Sequence, residues 1–144
     1  MPDLVARAET AGPLAQLRKP LARARRTLIS SGGVHARNDR PLDVCHSFGD
    51  FRFRRVPSQL CHEELIIHQL KYPHDDADVD INVLRDRAAP EMATEGVRDV
   101  LTDIFAVSSA IAMEPEKFER TVARDIAKAV VSEERADVAL LAPA

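Results

Sequence analysis

All five histidines (His35, His46, His62, His68 and His74) and both cysteines (Cys45 and Cys61) of this 144-residue chain fall between positions 35 and 74. Imidazole and thiolate are the ordinary ligands of zinc, so the clustering raises metal chemistry first. Zinc sites usually draw on pairs two to four residues apart that converge on one ion. Here the pairs are the adjacent residues Cys45-His46 and Cys61-His62, and neighbouring side chains of a strand point to opposite faces. The spacing argues against a metal centre and for ordinary loop histidines with a buried Cys61. No metal and no cofactor is expected.

A second cluster is acidic. Asp76, Asp78 and Asp80 in DADVDIN imitate the start of a calcium loop, but Ile81 stands where that loop needs glycine and Arg87 where it needs glutamate, which excludes an EF-hand. Crowded carboxylates at a strand end can instead orient a substrate amine or hold a proton between them. The glycines of SSGGVH (30–35) suggest a phosphate cradle, yet neither dinucleotide nor Walker spacing accompanies them. Ser30 and Ser31 lack the elbow of a serine nucleophile.

These residues need strands to present them. Thr27-Leu28-Ile29, closed by Ser30, Ser31, Gly32 and Gly33, predicts a strand delivering His35 into a loop. FRFRRV (51–56) alternates Phe51, Phe53 and Arg55 against Arg52, Arg54 and Val56, as an edge or half-exposed strand does. The apolar run 64–70 predicts an inner strand feeding His74 and the acidic loop. Residues 87–101 predict a helix with Pro90 in its first turn, and Ile104–Ile111 another strand. Over 115–134, Phe118, Val122, Ile126 and Val130 recur every four residues, with Pro115 in the first turn and Glu116–Arg120 as an i,i+4 pair. That segment predicts a helix packed on a sheet. VALLA (138–142), apolar without strict alternation, predicts a central parallel strand covered on both faces. Before all this, Pro13 and Pro20 divide an N-terminal helical arm, 1–24, with short helices near 3–10 and over 14–19 or 14–24. The expected fold is thus α/β, a three-layer sandwich with a mostly parallel sheet, occupying 25–144.

Composition sets outer bounds. A chain this long buries roughly two-thirds of its unfolded surface as one domain. Forty-five per cent hydrophobic residues, no apolar run long enough to span a bilayer, and no charged-then-apolar leader predict a soluble cytoplasmic protein with reduced thiols and no membrane contact. The net charge of −3 conceals a split: residues 1–57 carry eleven Lys/Arg against five Asp/Glu, and 58–144 nine against eighteen. The basic half lacks the interleaved aromatics of a single-strand binder, so no nucleic acid is expected. The halves are expected to answer each other within the fold or across a subunit interface.

Taken in order, PLARARRTLISSGGVH (20–35), FGDFRFRRVP (48–57), LIIHQLKYPHDDADVDINV (65–83) and ADVALLAPA (136–144) resemble segments of the selenoprotein B family of the glycine, sarcosine, betaine and D-proline reductases, short reductase-related members included. The resemblance implies reductive C–N cleavage of a small amine or amino acid, and other reductase subunits or further copies of the chain as partners. In the family a selenocysteine or cysteine followed by Pro-x-x-Cys comes directly after the strand that ADVALLAPA is similar to. No catalytic nucleophile is therefore expected within this chain; the resemblance puts it after Ala144, as a truncation at a selenocysteine codon would. His35, His74, Asp76, Asp80 and Asn82 are the candidate acid/base or substrate-binding groups. Asn82-Val83 followed directly by Leu84-Arg85-Asp86-Arg87, with Lys71 and Pro73 upstream, departs from the family pattern around the substrate pocket. The alternatives are a non-catalytic interaction subunit of an oligomeric complex and a Cys/His metal-binding protein.

Overall fold

The computed structural model describes residues 15–45, 50–68, 101–108 and 114–142. Within them a four-stranded sheet has the order β3-β5-β1-β6, formed by β1 (Arg26–Ser30), β3 (Arg54–Val56), β5 (Leu101–Ala106) and β6 (Val138–Ala142). β1 runs parallel to both β5 and β6, and β3 closes one side antiparallel to β5. A separate antiparallel ribbon pairs β2 (Val34–Ala36) with β4 (Leu65–Ile67). The α/β class and mostly parallel sheet expected from the sequence are those of the structure.

Period-two alternation divides the sheet into two apolar faces. Leu28, Val56, Ile104 and Ala106 pack on Val34 and Leu65 of the ribbon, with Leu140 and Ala142 at the margin. Ile29, Phe105 and Val107 point the other way, onto Val122, Ile126, Ala129 and Val130. Among the described residues, then, one face carries helix and the other carries the β2–β4 ribbon.

The helical segment has the predicted apolar stripe, with Phe118 packed against buried Val122, Ile126 and Val130. Pro115 stands in its first turn, and Glu116 and Arg120 lie 3.9 Å apart on the exposed side. It is not one continuous helix. α1 (Pro115–Arg120) gives way at Thr121 to α2 (Val122–Lys128), and a π-helical turn spans Ala129–Glu133. Thr121 causes the break: its hydroxyl donates to Lys117 O at 2.7 Å, while its N–H is shared between Lys117 O and Phe118 O. Back-bonding of this kind bends a helix.

Several sequence expectations are corrected. Residues 15–20 are not helical, and the described part of the arm has a 3₁₀ turn at Leu21–Arg23, preceded by Pro20; the helix expected near 3–10 lies outside the described residues. Leu101, expected to end a helix, begins β5, which stops at Ala106. Among its described residues, the run 64–70 supplies the three of β4, and these pair in the ribbon instead of the main sheet. β6 lies at the sheet margin among the described strands, with Leu141 75% exposed. Its Ala139 and Leu141 face the helical side beyond the helix's cover, which a uniformly apolar sequence does not disclose.

Ion pairs join the two oppositely charged halves. Arg55 on β3 binds Asp103 at 2.8 Å, Glu133 at 2.7 Å, and Glu134, with its guanidinium 5.8 Å from the Phe105 ring centroid. Burial opposes the charge on Arg55, but the Glu133 and Asp103 carboxylates outweigh it and push its pKa up. Lys19 meets Asp137 at 2.9 Å, and the Arg25 backbone N–H donates to the same carboxylate at 3.0 Å, fastening the arm to the entry of β6.

Candidate functional site

The site is built where β1 ends. Ser30, 1% exposed, accepts the Gly32 N–H on its hydroxyl at 3.1 Å. Val107 N–H donates to Ser30 O at 2.9 Å, and Gly33 N–H returns a bond to Val107 O at 3.0 Å. Gly33 has φ of 65°, the left-handed region that a Cβ disfavours, so glycine fits the turn here. On the other side Ser31 N–H donates to Ala142 O at 3.3 Å, and His68 N–H to Gly33 O at 3.0 Å. The loop is thereby stitched to β5, to β6 and to the end of β4 at once. Because the N–H groups of Ser31, Gly32 and Gly33 are all engaged, SSGGVH does not present the open amide nest of a phosphate cradle.

The loops after β1 and β5 lead to opposite faces. β1 continues into the ribbon, which packs in one apolar cluster, and β5 precedes the helix, which packs in the other. The carboxyl ends of parallel strands whose connections part in this way form the usual crevice for ligands in α/β sheets.

His35 occupies that region at 1% exposure. Its Nδ1 lies 2.8 Å from Ala36 O; a carbonyl only accepts, so Nδ1 carries a proton, and Nε2 is the ring nitrogen left for any other partner. Nε2 is buried and has no hydrogen-bond partner among the described residues. The His68 ring stacks on it, centroids 5.6 Å apart and planes inclined by 21°, and His68 Nδ1 is likewise buried without a partner. Ribbon register explains the meeting: His35 faces Ile66, so His68, two residues on, is its diagonal neighbour on the same face. The sequence reading passed over His68. Its one local signal is that, like His35, it lies at a strand end next to a polar stretch.

Of the other candidates, His74, Asp76, Asp80 and Asn82 lie outside the described residues, as does His46. The cysteines form no cluster with them that the structure describes. Cys45 and Cys61 are both exposed free thiols, which corrects the expectation of a buried Cys61. Cys61 stays at the surface because it begins the 3₁₀ turn His62–Glu64, where its N–H and thiol both donate to Glu64 Oε2, at 2.8 and 3.0 Å. The bond to Glu64 pushes the Cys61 thiol pKa up, away from the range of a reactive nucleophile. Among the described residues no group of three or more His, Cys, Asp or Glu side chains is arranged to hold a metal ion. A cleft of about 280 Å³ lies beside the ribbon, lined by Ala36, Arg37, Asn38, Leu60, Glu63 and Glu64.

No protein-family model, curated protein or solved structure matches this chain. No helix among the described residues is long and apolar enough to cross a membrane.

Proposed function

We propose that the chain is the framework of a selenoprotein-B-type reductase module, whose complete form cleaves the C–N bond of a small amine or amino acid. One observation carries the reading. β6 lies in parallel register against β1, with Ala142 opposite Ser30 and its carbonyl bonded to Ser31 N–H, so whatever follows β6 starts beside the loop that leads to His35. From Ser31 to His35 is four residues, a span of no more than about 14 Å. A selenolate or thiolate carried just beyond β6 therefore begins within reach of a buried imidazole. The anion attacks the carbon bearing the amine, its electron pair forming the new bond as the C–N pair leaves with the nitrogen, and protonated His35 gives the departing amine its proton. A dithiol then completes the reduction: one thiolate attacks the selenium or sulfur, and the bonding pair leaves with the carbon and takes up a proton. The second thiol attacks the resulting S–Se or S–S bond, freeing the nucleophile and leaving the dithiol as a disulfide. We assign the protein to the cytoplasm, where the exposed Cys45 and Cys61 stay reduced.

The deciding experiment reads the codons that follow Ala144 in the genome and expresses the extended chain. An in-frame UGA or cysteine codon followed by Pro-x-x-Cys, with a residue that iodoacetamide alkylates at pH 6, is the expected result; unrelated downstream sequence removes the proposal.

A second reading, a non-catalytic subunit of an oligomer, is favoured by Leu141 and Val131, 75% and 67% exposed. Sedimentation at low and high salt separates the two possible drives to assembly: an apolar contact survives salt, whereas pairing of the oppositely charged halves does not.

A further inference from the structure

We propose that β6 is a dimerisation edge, pairing antiparallel with the β6 of a second copy so that the two sheets run on as one. The inference rests on the oligomer of the second reading and names the strand that builds it.

The two margins of the sheet are unlike. At one, β3 is three residues long, carries Arg54 and Arg55 and is followed by Pro57, while Arg54 holds Arg40 O and Pro41 O beside it. Short length, charge and proline are the means by which proteins keep an edge from pairing with another chain. At the other margin, β6 is five apolar residues in unbroken register with β1, with no charge or proline along it. No described strand lies beyond it. None of its residues is buried, although β1 beside it is buried at four positions of five.

The ladder to β1 decides which backbone groups face outward. Val138 N–H donates to Arg25 O at 3.1 Å and Ala142 O accepts Ser31 N–H at 3.3 Å, so Val138, Leu140 and Ala142 turn their polar groups to β1. Ala139 and Leu141, between them, turn theirs to the open edge. A second β6 uses all of these groups in one register, with Leu140 opposite its own copy at the two-fold axis. Ala139 and Leu141 of one chain then stand opposite Leu141 and Ala139 of the other, and each pair exchanges both N–H···O bonds. Sliding the pairing by two residues brings in Asp137, whose N–H already donates to Arg25 O at 2.8 Å, or Pro143, which has no N–H. The favoured register also sets Leu141, 75% exposed, against the small Ala139 of its partner on the face that the helix leaves open. The strand carries no charge, so nothing repels across the axis. A foreign peptide must supply that order of leucine and alanine, whereas a second copy has it by symmetry. Five residues a side lies at the small end of interface sizes, so the dimer is reversible, with a dissociation constant of about 10–100 µM.

The test is sedimentation velocity of the full chain from low micromolar to several hundred micromolar. Leu141→Lys, at an exposed side chain, and Ala139→Pro, which removes an outward N–H and spares the bonds to β1, should each weaken the dimer at least about tenfold. Circular dichroism checks folding; should Ala139→Pro unfold, Leu141→Lys decides. Register is read by cross-linking in a Cys45→Ser, Cys61→Ser background. Leu140→Cys, with its two Cα atoms about 4.5 Å apart at the axis, should form an intermolecular disulfide, and Leu141→Cys, with Cα atoms roughly 8–9 Å apart, should not. A chain that stays monomeric at the highest concentration overturns the proposal and any homo-oligomer with it. A dimer that both variants leave intact, or that cross-links through position 141 instead, overturns this pairing alone and leaves the second reading standing. No nucleophile or substrate enters the assay, so its outcome is independent of the reductase reading.

Discussion

The guanidinium of Arg54, 7% exposed, stands 3.4 Å from the carboxylate of Asp50, 2% exposed, on a strand that a repeating Phe-Arg pattern would make half wet. Arg54 is satisfied there by Arg40 O at 3.0 Å and Pro41 O at 3.1 Å as well, while Arg52 grips both oxygens of Asp50 at 2.6 Å. An arginine enters a core only when its donors are matched in this way.

Removing the Asp50 charge leaves Arg54 with only the half-exposed Asp39 carboxylate, 3.6 Å away, as counter-ion, so Asp50→Asn is expected to cost about 2 kcal/mol in urea denaturation. Burial pushes the Asp50 carboxyl up, but the bonds from Arg52 and from Asp43 N–H prevail and hold it below the ordinary aspartate range. The folded chain therefore binds the Asp50 proton less tightly than the unfolded chain. Its contribution is complete above roughly pH 4 and is lost as pH falls through the folded-state value. Denaturation midpoints measured from pH 6 downward should fall more steeply for wild type than for Asp50→Asn; parallel curves would refute this assignment.

Cys61 offers a check at the level of reactivity. The thiol donates to the Glu64 carboxylate, which favours its protonated form. Glu64→Gln keeps an acceptor for the Cys61 N–H and removes the negative charge. Alkylation of Cys61 by iodoacetamide near pH 8, followed by mass spectrometry, should be several-fold faster in that variant, since the thiolate is the reacting species.

How much of this was legible beforehand depends on the range of the interactions concerned. The stripe Phe118, Val122, Ile126, Val130 could be read because a helical face is a local property, and β1 because its β-prone run ends in glycines. The fate of β4 could not: three apolar residues fix a strand but say nothing about which sheet receives it. β6 misled for the same reason, since Val138 to Ala142 are apolar whether the strand is central or marginal. The break at Thr121 turns on one side-chain bond that competes with a favourable period. His35 was singled out from its loop, but its pairing with His68 depends on ribbon register across more than thirty residues, which no local pattern encodes.

Phe105 is the common anchor of the helical face. It is fully buried, lies 5.7 Å from the Phe53 ring and sits under the Arg55 guanidinium. Phe105→Ala should cost about 3–5 kcal/mol by transfer and cavity terms, and Phe105→Leu clearly less. Both values follow from urea midpoints at constant slope.

At Arg135 a substitution should raise stability. Its φ of 52° places a residue with a Cβ in the left-handed region, where the chain leaves the π-helical turn. Ala136 N–H reaches back to Val130 O at 3.0 Å and Glu134 N–H to Ala129 O at 3.0 Å, so the reversal is fixed by backbone bonds that need no Arg135 side chain. Those bonds close the helix and send the chain to Asp137, whose carboxylate fastens the entry to β6. Glycine meets this geometry without the steric penalty, though it gives the unfolded chain more freedom to lose. The net expectation for Arg135→Gly is a gain of about 0.5–1 kcal/mol, a rise of a few degrees in the thermal midpoint of a chain this long. A loss of the same size would mean that the Arg135 side chain holds the turn, and that the reversal before β6 is not set by the backbone alone.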